Sequence, residues 1–189
     1  DVPSASSPAP SVSETSSSPS PTAAPTLSAC TSGATLVSLS IPSVGINDAL
    51  SPQGLNAQGE LEPPPRNTIW YTGSPLPGQP GVSVIAGHDE WSGPSNFWNL
   101  DEVKNGAAIF VKCKSTILTF KVTNSYSELK TDKAHNKDAQ HDTSIWNFDG
   151  SISSPELAVI TCDKHSPVVN HHHLSNFVVH ATLVSVTRS

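Results

Sequence analysis

A cysteine and a histidine of this chain are of the types that nucleophilic chemistry uses, and each closes an apolar run. Cys162 ends the apolar run Leu157-Ala158-Val159-Ile160-Thr161, and His88 ends a second run, Val82-Ser83-Val84-Ile85-Ala86-Gly87. A thiol is a nucleophile only as thiolate, and a neighbouring imidazole is the usual means of generating or balancing that charge. The alternatives are a buried core cysteine and a hydrogen-bonded histidine at a strand end. The two residues stand 74 positions apart, so joint chemistry requires a fold that carries both strand ends into one cleft.

The same stretch offers a second chemistry. Cys162, His165 and the run His171-His172-His173 are ligand types that zinc accepts. Consecutive residues of an extended chain point to opposite faces, so at most two of the three adjacent histidines can share a site. No regular ligand spacing appears, and the segment reads as a polar loop. Neither a metal nor a cofactor is expected.

The elements that must position these groups are short. Apolar and β-branched runs at 35–41, 68–71, 82–88, 107–112, 116–122, 157–162 and 176–186 alternate with turn clusters, which predicts an all-β domain of seven or eight strands. Pro75-Leu76-Pro77-Gly78-Gln79-Pro80-Gly81 excludes helix from the segment before His88. Helical turns are expected only at 94–103 and about 143–148, where aromatics cluster without strict alternation. The polar segment 124–142, rich in Lys, Asp and His, is expected to be an exposed crossing loop of the kind that borders a groove. A closed barrel or a sandwich accommodates so many strands, and closure removes exposed edges.

Composition narrows the setting. Residues 1–28 are nearly all Ser, Pro, Ala and Thr and cannot bury a core; they read as a disordered, partly polyproline tether. Residues 29–189 form a single domain's worth of chain. With 10 Lys+Arg against 16 Asp+Glu the net charge is -6, and Arg66 and Arg188 are the only arginines, which argues against nucleic acid as a partner. No run of 18 apolar residues exists. Because the chain begins with Asp rather than Met, an N-terminal signal or membrane anchor is expected to have been removed from a surface or secreted protein. Cys30 opens the ordered region and Cys113 lies at the tip of a strand pair; a bridge between them would staple the tether's end to the domain in an oxidising compartment, leaving Cys162 as the odd thiol. Connectivity is not fixed by sequence, and three reduced cysteines in a cytosolic protein is the alternative.

The run from Trp70-Tyr71-Thr72-Gly73-Ser74-Pro75 through Val84-Ile85-Ala86-Gly87-His88 resembles the segment that leads to the catalytic histidine of sortases, most nearly the actinobacterial class F group. Gly93-Pro94 and Phe97, then Leu157 to Cys162, then Asn176-Phe177-Val178-Val179 continue the likeness in order, over 36–184. The resemblance implies an eight-stranded sortase-type β-barrel at the extracellular face of a Gram-positive cell membrane, tethered by an N-terminal helix. It implies a monomeric cysteine transpeptidase that cuts a Leu-Pro-x-Thr-Gly sorting signal between Thr and Gly. The acyl fragment is held as a thioester and passed to an amine such as a cell-wall precursor. By the same likeness Cys162 is the nucleophile, and His88 is the acid that protonates the leaving amine and balances the thiolate.

The chain departs from the family at one position. Sortases carry an arginine on the strand after the nucleophile, and the place expected for it holds Leu174. Losing an oxyanion donor costs acyl transfer about a hundred- to a thousandfold. Lys164, two residues past the thiol, and His173 or His172 are the candidate substitutes, although lysine lacks the planar fork of arginine. The alternative is a catalytically impaired sortase-like domain that binds sorting signals or wall components.

Overall fold

The computed structural model describes residues 30–130 and 142–189. The 1–28 tether lies outside the described residues. Eight strands close into a barrel in the order β1-β2-β3-β4-β7-β10-β6-β5, and β8 and β9 form a separate two-stranded hairpin. In chain order these are β1 (Leu36–Ile41), β2 (Ile46–Gln53), β3 (Thr68–Tyr71), β4 (Gly81–Ala86), β5 (Ala108–Cys113), β6 (Thr116–Leu129), β7 (Pro155–Cys162), β8 (Val168–Val169), β9 (His172–His173) and β10 (Ser175–Arg188). Among the described residues helix is confined to three 3-10 turns, Gly33–Thr35, Pro42–Val44 and Leu100–Glu102. The last falls inside the turn expected at 94–103. Near 143–148 the amides of Ile145 and Trp146 both bond the Asp142 carbonyl, which makes a single turn.

Alternation along the strands divides the apolar side chains between two clusters. Leu39, Ile41, Ile85, Ile109, Val111, Leu118, Phe120, Leu157, Val159 and Val179 belong to the larger cluster, which fills the barrel. Val82, Val84, Ala158, Ile160 and Val178 point the other way and are covered by Ile145, with Leu61, Tyr71, Trp146 and Ile152 packed on them. Strand β4 is therefore buried along its whole length. It pairs in parallel with β7, and such strands, covered on both faces, read as unbroken apolar runs.

Two expectations change. Strand β2 was not foreseen, because Asn47, Asp48, Ser51 and Pro52 break its apolar alternation; it forms by pairing antiparallel with β1 and parallel with β3. The crossing loop expected from 124 starts later, since β6 runs unbroken to Leu129 against β10, with Glu128 opposite Asn176 and Leu129 opposite Ser175. Ladder hydrogen bonds to a long neighbour outweigh the low β propensity of the polar side chains there. Of that expected loop, residues 131–141 lie outside the described residues.

A disulfide joins Cys30 to Cys113, both buried, and Cys162 is free. The chain that enters β1 is thereby fixed to the end of β5.

Candidate active site

The parallel pairing of β4 and β7 brings the two chemical residues to one end of the barrel. Ala86 lies opposite Ile160 in that register, and the Gly87 amide still donates to the Ile160 carbonyl at 3.2 Å. Cys162 is thus the end residue of β7 at the level where His88 leaves β4. Along β7, Ala158 and Ile160 face the outer cluster, so strand alternation places Cys162 on that same outer face. It is partly exposed.

The turn after the thiol is held firmly. Asp163 is buried; its carboxylate accepts hydrogen bonds from the Ser127 hydroxyl at 2.5 Å and the His165 amide at 2.9 Å, and its own amide donates to the Ser175 carbonyl. These bonds pin the end of β7 to β6 and β10. A shallow hollow beside the thiol is lined by Asp89, Trp98, Thr161 and Phe177.

His88 is half-buried with its ring 5.0 Å from that of Trp91, and its Nε2 lies 2.8 Å from the Pro63 carbonyl. A carbonyl only accepts, so Nε2 carries the proton in this bond and Nδ1 is the nitrogen left to exchange one. Among the described residues no hydrogen bond joins His88 to Cys162.

Among the described residues, the cation against the thiol is Lys130, whose Nζ lies 3.2 Å from Cys162 Sγ. Lys164 points elsewhere. Its ammonium donates to the Trp98 carbonyl at 2.6 Å and to Asp101 Oδ1 at 2.8 Å, and lies 4.7 Å from the centre of the Trp98 ring. His165 takes the other Asp101 oxygen at 2.7 Å. Burial pushes the Asp101 carboxyl up, but the hydrogen bonds and charges of Lys164 and His165 outweigh it and hold the group below the usual carboxylate range. Lys164 and His165 therefore fasten the turn at 98–102 to the loop after the thiol.

His173 is likewise engaged. Its Nδ1 lies 3.2 Å from the Ser166 carbonyl and its Nε2 3.8 Å from Asp89 Oδ2. Burial of Asp89 pushes that carboxyl up, against the opposing pull of the Glu90 amide and His173. Asn170 and His171 form the positive-φ tip of the β8–β9 hairpin, which leaves His172 exposed. Leu174, where the arginine was expected, is 39 % exposed. Among the described residues no group of three His, Cys, Asp or Glu side chains is placed to hold a metal ion.

Lys130 is not legible as a site residue in the sequence because it lies in a polar run without apolar alternation. The signal that could have found it is a length mismatch: the run at 176–186 is too long to be paired by 116–122 alone, so the chain after Val122 has to continue as strand.

A closed eight-stranded barrel with a free thiol at the end of one inner strand defines the class. A family model for the sortase domain matches residues 39–184, and the chain belongs to the sortase family. Solved structures agree on the fold. Sortase A of Listeria monocytogenes superposes with a TM-score of 0.57 at 19% identity, over 82% of this chain and 91% of that one. Sortase A of Corynebacterium diphtheriae gives 0.58 at 19% identity, over 80% and 61%. A mutant of sortase E from Streptomyces avermitilis gives 0.56 at 17% identity, over 80% and 88%. No curated protein matches by sequence.

Proposed function

We propose that the chain is a cell-surface cysteine transpeptidase whose nucleophile is Cys162. The observation that carries the reading is a free, partly exposed thiol ending β7 beside the strand that delivers His88, with an ammonium 3.2 Å from its sulfur. Cys162 attacks the threonine carbonyl of a sorting signal of the Leu-Pro-x-Thr-Gly class; the S–C bond forms first, and the Thr–Gly C–N bond breaks as the resulting oxygen charge collapses. His88 takes the thiol proton on Nδ1, the nitrogen that Pro63 does not bond, and hands it to the departing amine. An incoming amine, such as that of a cell-wall precursor, returns a proton to His88 and releases the thiolate. The likeness of 70–88 to class F sortases belongs to this proposal. So does a tether of residues 1–28 leading to a membrane anchor; among the described residues no helix is long and apolar enough to cross a membrane.

The test is incubation with a Leu-Pro-x-Thr-Gly peptide and triglycine, followed by intact-mass analysis. An acyl adduct on the protein that disappears in Cys162→Ala, together with the triglycine-ligated peptide, is the expected result. A protein that leaves the peptide intact and its own mass unchanged overturns the proposal. A second reading, a domain that binds sorting signals without turnover, is favoured by Leu174, an apolar side chain where the family places a guanidinium. It predicts saturable peptide binding with no adduct in the same experiment.

A further inference from the structure

We propose that Lys130 is the catalytic cation of this site: its ammonium holds the Cys162 thiolate and then faces the oxygen charge that develops as the acyl group transfers. The second half of this statement rests on the acyl-transfer reading above; the first does not. Lys130 follows the last residue of β6, and its amide donates to the Leu174 carbonyl at 2.8 Å. It therefore sits directly across from the position where an arginine was expected, one strand further from the thiol. Register fixes its direction. Cys162, Asn176 and Glu128 lie in one row across β7, β10 and β6, and Leu174 and Lys130 lie opposite one another two residues further along β10 and β6. Residues two apart on a strand share a face, so Lys130 and Cys162 share the outer face of the barrel. Two strand spacings separate β6 from β7, about 10 Å. An extended lysine side chain directed across β10 toward the cysteine covers most of that distance, and its Nζ lies 3.2 Å from Sγ.

Chemistry agrees with the position. A half-buried ammonium within hydrogen-bond reach of a sulfur offsets negative charge that forms there. When the S–C bond forms, the negative charge leaves sulfur for the carbonyl oxygen bound to the attacked carbon, and a flexible ammonium follows it over that short distance. When the C–N bond breaks, the charge on oxygen collapses back into the thioester carbonyl. The proton for the departing amine comes from His88, so Lys130 keeps its three protons throughout and acts by charge alone. Lys164 cannot exchange places with it, because its ammonium is already bound by Asp101 and the Trp98 carbonyl.

The experiment compares the whole chain with Lys130→Met, Lys130→Gln and Lys130→Arg, and with Lys112→Met on β5 as a control for loss of one charge. Iodoacetamide alkylation of Cys162 is read first, without peptide. At pH 7 the rate is expected to fall about tenfold in Lys130→Met and Lys130→Gln and to stay within twofold of the parent in Lys130→Arg and Lys112→Met. Acyl-adduct formation with the peptide is read second and is expected to fall about a hundredfold in the two neutral variants, with partial rescue by Lys130→Arg. Equal alkylation rates at pH 7 in the parent and both neutral variants overturn the proposal. If the parent forms no adduct while alkylation still depends on residue 130, the transpeptidase reading fails and the thiolate–ammonium pair stands. If adduct forms equally well without the ammonium, its role in acyl transfer fails and the transpeptidase reading stands.

Discussion

His180 is an ionisable side chain that the fold buries next to three others, and it sets how the protein should respond to mild acid. It stacks on Tyr126 at 5.9 Å, and its Nε2 lies 3.3 Å from both the Tyr126 and Ser144 hydroxyls. Tyr126 also bonds Asp142, which fastens the segment entering β7 onto the barrel. Burial holds the His180 imidazole below its ordinary value, against the opposing pull of Asp142 and Glu156. A base depressed in the folded state stays neutral there while the unfolded chain takes up a proton. Its contribution is whole above about pH 6.5 and is lost as pH falls from there toward the depressed value, by at most about 1.4 kcal/mol per pH unit. Thermal unfolding of the parent is therefore expected to soften between pH 7 and pH 5 more steeply than that of His180→Phe, by roughly 2–4 °C per pH unit. Parallel curves for the two proteins would show that this imidazole is not the group responsible.

At the scale of strands, the site is where two inner elements end together, and small residues set how closely they end. A Cβ added at Gly87 would lie 3.0 Å from the Phe97 ring, which is fully buried. The Phe97 amide donates to the His88 carbonyl at 2.9 Å, so a displaced ring pulls on the residue that carries the imidazole. Gly87→Ala is expected to cost about 1–3 kcal/mol, read as a fall in the unfolding midpoint, and to slow acyl-adduct formation more than it slows alkylation of the thiol. The reason is that β7 and its Asp163 turn stay in place while His88 moves. The strands themselves differed in how plainly the sequence announced them. β4 and β7, apolar on both faces, were readable as runs, and with them Cys162 and the approach to His88. β2 and the far half of β6 were not, because their pairing comes from neighbours distant in sequence while their own side chains are polar. Lys130 was hidden for that reason, and the partner choices of Lys164 and His173 were hidden because Asp101 and Asp89 reach them only through the fold.

At the scale of the molecule, barrel closure and the site are separate problems. Strand β1 closes the ring between β2 and β5, and Leu36 at its start pairs with Cys113. The Cys30–Cys113 disulfide joins residues 83 apart across this seam, while the thiol, His88 and Lys130 stand on or beside β7, β4 and β6. Constraining so long a loop in the unfolded chain is worth about 2–5 kcal/mol. The double variant Cys30→Ser/Cys113→Ser is expected to unfold roughly 10 °C lower than the parent, given about 2–4 °C per kcal/mol for a domain of this size. Thiol counting under denaturing conditions should give one reactive group in the parent before reduction and three after. Below its own midpoint, the double variant should alkylate at Cys162 at the parent's rate. Parallel and antiparallel ladders, not the seam, fix the end of β7 beside β4 and β10. A rate that fell along with the midpoint would instead mean that the seam's order reaches the site, and that closure of the barrel is part of what presents the thiol.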